Sequence, residues 1–226
     1  MTAAIDRYRR KADVVIAAWR ALFGETPTRN ALVRAMSVAE FETRMGDGGL
    51  HNWGGVQKRG LRPDEASILL GHGVFPSGGD DALSAARGLL TPGPNEILAR
   101  DTSPAVGPYF TWFWTFADEA EAARKFLEVL VAQRPGVREI LDRASPEELA
   151  RAMYASRYFE GFHRNDPEAN IRDYARNISA TGKAIDAGLG RDEGAPLLPD
   201  REHHQPALAL GFLVAAVGLA VARGPR

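Results

Sequence analysis

The sequence predicts a mainly α fold of the α+β kind: a helical domain with a small loop-rich lobe containing β structure, then a C-terminal transmembrane helix. Three observations carry this. Helix start signals recur through both halves of the chain, residues 46–110 are broken by Gly and Pro around runs of aromatic and β-branched residues, and residues 206–222 carry no charge.

The elements follow in order. Residues 1–25, "MTAAIDRYRRKADVVIAAWRALFGE", hold a short apolar patch interrupted by Trp19 and Arg20, with no small-residue cleavage site. They read as an amphipathic helix and not as a secretory signal. Thr28 or Asn30 caps a second helix running to about Thr43, in which Leu32, Ala35, Met36 and Ala39 recur at i, i+3, i+4 and i+7. Turn signals "GHGVFPSGGDD", "TPGPNE" and "TSPAVGP" then punctuate the insert, leaving one short helix at "DALSAARGLL" and a β-hairpin or ribbon at "EILARDTS" and "YFTWFWTF". Helical pattern returns at Asp118 with "DEAEAARKFLEVLVAQ", whose leading acids suit a helix N-terminus. "SPEELARAMYAS" and "DPEANIRDYARNISATGKAI" each open on a cap residue followed by Pro. Residues 186–205, rich in Gly, Pro and charge, have a linker composition, so the domain is expected over 1–185.

Composition excludes several function classes. Lys and Arg (28) nearly cancel Asp and Glu (29), so no basic footprint for nucleic acid is present. Cysteine is absent, which removes disulfides and thiolate metal sites. His203 and His204 are adjacent and cannot form an i, i+4 zinc pair, while His51 and His72 sit among glycines with no acid at ligand spacing. No metal and no cofactor are expected. The glycines of "GGVQKRG" and "GLGRDEG" lack the order of a phosphate loop or a dinucleotide fingerprint.

The 17 residues at 206–222 sit at the short limit for crossing a hydrocarbon layer. A buried terminal helix is the alternative, but the run has no polar side, which favours the membrane. "RGPR" would then mark the cytoplasmic end, leaving the domain on the opposite face.

Chemistry concentrates in "ETRMGDGGLHNWGGVQ", residues 42–57. Glu42 ends the second helix at the edge of its apolar stripe, where the negative end of the helix dipole and partial burial both disfavour the carboxylate and raise its pKa. An acid that keeps its proton near neutral pH can protonate a departing sugar oxygen. Glu40 competes for the role on periodicity alone.

The ordered motifs resemble the glucosaminidase family of peptidoglycan hydrolases, glycoside hydrolase family 73 of the lysozyme superfamily. "ETRMG" at 42–46 and "NWGGV" at 52–56 are similar to that family's catalytic Glu with its glycine-rich turn and to the segment after it. "FWTFADEAEAARKFLEVL" resembles the family's "F-R-x-Y" helix start, with Trp114 where Arg is usual and Phe116 where Tyr is usual. "YASRYFEGFHRNDPEANIRDYARNI" is similar to its late "G-Y-A-T-D-P-x-Y" region; together the likeness covers roughly residues 28–180.

The resemblance implies a lysozyme-like fold, Glu42 as general acid, and a second acid on the β-ribbon lobe. Asp101, twelve residues before Phe113, is the candidate, with Asp80, Asp81 and Glu96 as rivals. Around the implied cleft, Asn52, Trp53, Tyr109, Tyr154 and Tyr158 are the candidate sugar contacts, whereas Trp112 and Trp114, at strand spacing, suit the core. The implied activity is hydrolysis of the β-1,4 bond of N-acetylglucosamine in peptidoglycan glycan strands. A membrane-anchored enzyme facing the periplasm or wall, or a phage lysis or virion protein, would meet that substrate. Two other readings share the motifs: a non-catalytic glycan-binding module of a phage particle or envelope apparatus, and a lytic transglycosylase.

Overall fold

The computed structural model describes residues 2–46, 51–103, 106–159, 161, 163 and 165–190. The 206–222 run, His203, His204 and most of the expected linker lie outside the described residues. Among the described residues no helix is long and apolar enough to cross a membrane.

The protein is mostly helical with one small sheet, as the sequence predicts. Helix α1 (Thr2–Phe23) is followed by α2 (Arg29–Thr43), whose cap is Thr28, with its hydroxyl accepting from the Ala31 N–H at 3.1 Å. The insert holds β1 (Gln57–Gly60), α3 (Pro63–Gly71), α4 (Asp80–Leu89), β2 (Glu96–Ser103) and β3 (Gly107–Trp114). Then come α5 (Glu119–Leu127), a π-helical turn over Glu128–Ala132, α6 (Pro135–Ile140), α7 (Pro146–Ala155) and α8 (Pro167–Leu189).

Asp118, Ser145 and Asp166 cap α5, α7 and α8 with their side chains, so the start signals read from the sequence are the ones the chain uses. Helix α8 runs to Leu189, which places 186–189 in a helix and not in the linker.

The insert is more regular than its Gly and Pro content suggests. Helix α3 begins with Pro63 at its first position, and the Glu65 carboxylate accepts from the Arg62 N–H at 2.8 Å. β3 lies between β1 and β2, antiparallel to both, and Asp101 pairs across from Tyr109.

Two cores result. The larger joins α1, α2, α5, α7 and α8 around Trp19, Leu32, Met36, Phe126 and Leu130; the smaller packs Leu69, Leu98, Phe110 and Trp112 beneath α3 and α4. Trp112 is thus a core residue, whereas Trp114 stays half-buried with the Lys58 ammonium 4.5 Å from its ring centre.

An ion cluster ties the lobe together. Arg59 donates to Glu65 at 2.8 and 2.9 Å and to Glu96 at 2.8 Å. Burial alone would push the Glu65 carboxyl up, but the bonds from Arg59, the Arg62 N–H and the Trp112 indole outweigh it and bring the pKa to about 2. On the helical side Lys11 is fully buried, with Nζ 2.9 Å from the Met45 carbonyl and 2.7 Å from Glu119 Oε1. It joins α1 to the turn beyond α2 and to the first turn of α5.

Candidate active site

The two lobes border a cleft of about 850 Å³, and Glu42 lies on its wall. What sets the acid there is the way α2 stops. Arg44, Met45 and Gly46 have φ of 51°, 50° and 76°, so the chain turns left-handed over three residues directly after the helix. Met45 is buried under Lys11. A Cβ on Gly46 would come within 2.8 Å of the Trp53 ring and 3.1 Å of the His51 backbone, which is why glycine follows. Thr43 then binds the returning loop, its hydroxyl accepting from the Gly54 N–H at 3.0 Å.

Glu42 is exposed by surface area at the mouth of the cleft, but protein packs closely round the carboxyl group itself, which is partly desolvated. That burial raises its pKa; the Tyr174 hydroxyl, donating to Oε1 at 2.5 Å, pulls it back, and the charge of Asp101 raises it again. The net is a carboxyl above its ordinary value. Tyr174 is held edge-on to Phe41 and stacked on Phe159 at 4.0 Å, so its hydroxyl has one direction available.

Asp101 lines the same cleft from β2. Its carboxylate accepts from the Gln57 amide, from Tyr109 at 3.3 Å and from the Thr102 N–H at 2.7 Å. The rivals stand elsewhere. Glu40 is bound by Arg7 at 2.8 and 3.0 Å, Glu96 is locked to Arg59, Asp80 faces Arg100 in solvent and Asp81 sits exposed at the start of α4; none of the four lines the cleft.

Of the predicted sugar contacts, Tyr109 and Tyr158 line the cleft. The Tyr158 hydroxyl is buried with no hydrogen-bond partner; burial first, then the charge of Glu42, lift its pKa well above the ordinary tyrosine value against a lowering by Arg134. It is therefore a neutral donor beside the acid.

Three sequence expectations are corrected. Trp53 is fully buried in the larger core under Lys11, whose Nζ is 5.2 Å from its ring centre, so it cannot stack on a ligand. Asn52 is buried and spends its amide on Val56, accepting from the N–H at 2.9 Å and donating to the carbonyl at 3.2 Å; it shapes the loop. Tyr154 packs edge-on against Phe159 and is not on the cleft wall.

The sequence reading missed Gln57, Arg134, Arg157, Asp173 and Tyr174, all of which line the cleft. Tyr174 falls in the i, i+3, i+4, i+7 row Ile171, Tyr174, Ala175, Ile178, a pattern that does not distinguish a core face from a cleft face. Arg134 and Arg157 belong to short connections with no period to read. Among the described residues no three His, Asp or Glu side chains are grouped to hold a metal ion.

No family model, no curated protein and no solved structure matches this chain.

Proposed function

We propose that the protein is a peptidoglycan hydrolase that cleaves β-1,4 glycosidic bonds of N-acetylglucosamine-containing strands by general acid catalysis. The observation that carries this is one carboxyl, Glu42, kept above its ordinary pKa on the wall of an open cleft that also presents the carboxylate of Asp101. An acid that favours its protonated form, facing a second carboxyl group across a cleft, is what glycoside cleavage requires. The motif resemblance at 42–46 and 52–56 supports the same chemistry.

In this reading Glu42 gives its proton to the leaving sugar oxygen as the bond breaks. Tyr174 orients the carboxyl by donating to Oε1, and Tyr158 offers a neutral hydroxyl nearby. Asp101, aimed by Gln57 and Tyr109, either activates the incoming water or steadies the positive charge that develops on the sugar ring. Cleavage of this kind needs no cofactor.

Zymography in sacculus-loaded gels tests it, wild type beside Glu42→Gln. Clearing by the wild type that the variant lacks supports the enzyme. Absence of clearing by the wild type under conditions where it stays folded overturns it. Mass spectrometry of the released fragments separates water from an internal hydroxyl as the acceptor, because hydrolysis leaves reducing ends and transglycosylation leaves anhydro ends.

A further inference from the structure

Guanidinium groups in this protein are commonly paired with acids. Arg7 holds Glu40, Arg29 holds Asp186, Arg59 holds Glu65 and Glu96, and Arg151 holds Glu168. Arg134 and Arg157 are not, which they share with Arg34 and Arg87, whose hydrogen bonds go to carbonyls, but they are the two arginines on the cleft wall. Among the described residues neither has a carboxylate at ion-pair distance.

Arg134 is half-buried. It donates from Nη1 to the Val129 carbonyl, leaves Nε buried without a partner, and places its guanidinium carbon 5.2 Å from the Tyr158 ring centre. Burial lowers its pKa and only Tyr158 acts in the other direction. Arg157 precedes Tyr158 directly and is exposed, with φ 57° turning the chain at that point. Arg134 packs on the Tyr158 ring and Arg157 is the residue before it, so both cations belong to the stretch of cleft wall that carries Tyr158.

The acids in the cleft do not neutralise them. Asp101 is occupied by Gln57, Tyr109 and Thr102, and Asp173 by His163 at 3.0 Å and Arg176 at 3.2 Å. A partly desolvated guanidinium with no counter-charge among the described residues, as Arg134 is, is a costly arrangement, and the planar fork matches a carboxylate in two-point contact.

Resting on the glycan-cleaving reading above, we propose that Arg134 and Arg157 form a subsite for a carboxylate carried by the substrate, so that the cleft selects acidic glycan strands over neutral ones. In a peptidoglycan strand that carboxylate belongs either to the lactyl ether of muramic acid or to a stem peptide.

Calorimetric titration of the Glu42→Gln protein, in which cleavage is blocked, distinguishes these. The probes are neutral chitotetraose, a peptide-free tetrasaccharide alternating N-acetylglucosamine with N-acetylmuramic acid, and the same tetrasaccharide with stem peptides amide-linked to the lactyl groups. Acidic ligand should bind roughly tenfold tighter than chitotetraose at low salt, and the preference should shrink as salt is added.

Adding Arg157→Gln, at an exposed position that folding tolerates, should reduce that ratio several-fold, and Arg134→Gln should reduce it further. A preference seen with the peptide-free strand assigns the lactyl carboxylate; one confined to the peptide-bearing strand assigns the peptide. Equal binding of neutral and acidic probes, or a ratio that the arginine replacements leave unmoved, overturns the subsite and leaves glycan binding standing. No binding of any probe overturns the glycan reading and the subsite with it.

Discussion

Replacing Gly54 by alanine probes the floor of the cleft with an internal control. Gly54 has φ +73°, and an added Cβ would lie 2.6 and 2.8 Å from two Phe126 ring carbons and 2.9 Å from the Tyr158 hydroxyl. Phe126 is fully buried in the larger core, so it cannot swing aside. The left-handed backbone costs an alanine about 1–2 kcal/mol, and the overlap about 1–3 kcal/mol more. At about 2–4 °C per kcal/mol for a chain of this size, Tm should fall by on the order of 10 °C.

Gly55 supplies the control. Its φ is +58°, yet a Cβ there meets only the Thr43 methyl at 3.7 Å, so Gly55→Ala carries the backbone cost alone. Circular dichroism melts of the two variants should differ by the overlap, about 1–3 kcal/mol. Equal melting of both variants, or Gly54→Ala melting with the wild type, would refute the packing described between Gly54, Phe126 and Tyr158.

Glu42→Gln should reduce glycan hydrolysis by roughly 10²- to 10⁴-fold. It should also raise Tm at neutral pH: the folded pKa lies above the unfolded one, so the wild type loses stability as pH rises through that interval, a loss an amide does not share. The two proteins should melt together in acid, below both values; a variant less stable than wild type at pH 7 contradicts this. Tyr174→Phe keeps the ring between Phe41 and Phe159 but removes the bond that pulls the Glu42 pKa down, so the alkaline limb of the pH–rate profile should move to higher pH. A limb that stays or moves toward acid would show that Tyr174 does not tune the acid. Glu65, held at about 2 against 4.5, should contribute about 3 kcal/mol above its unfolded value, lost as pH falls from about 5 toward 2. Urea titrations of wild type and Glu65→Gln should therefore converge at low pH, and a gap independent of pH would count against the Arg59 cluster.

Legibility followed the range of the interactions. Thr28, Ser145 and Asp166 cap helices through bonds to N–H groups three residues on, and such local chemistry is written in consecutive letters. The β2–β3 hairpin was visible in its aromatic and β-branched runs. Helix α3 was hidden because "GHG" and the nearby prolines dominate the composition, although Pro63, Asp64 and Glu65 spell a start signal. Within the site, Glu42 and Asp101 were found from motif order, but Trp53 was misplaced: a residue in a loop looks exposed until α1, far away in sequence, covers it with Lys11. Tyr174 was missed for the mirror-image reason, since a cleft-facing tyrosine and a core tyrosine occupy the same helical stripe.

The bond between Glu42 and Tyr174 spans 132 residues of sequence. At roughly 5–20 residues per second a ribosome needs on the order of 10 s to travel that distance. A nascent chain thus displays Glu42 long before Tyr174, and with it the α8 wall of the cleft, has been made. The cleft therefore closes around Glu42 only after α8 has been made, and not while α2 is emerging.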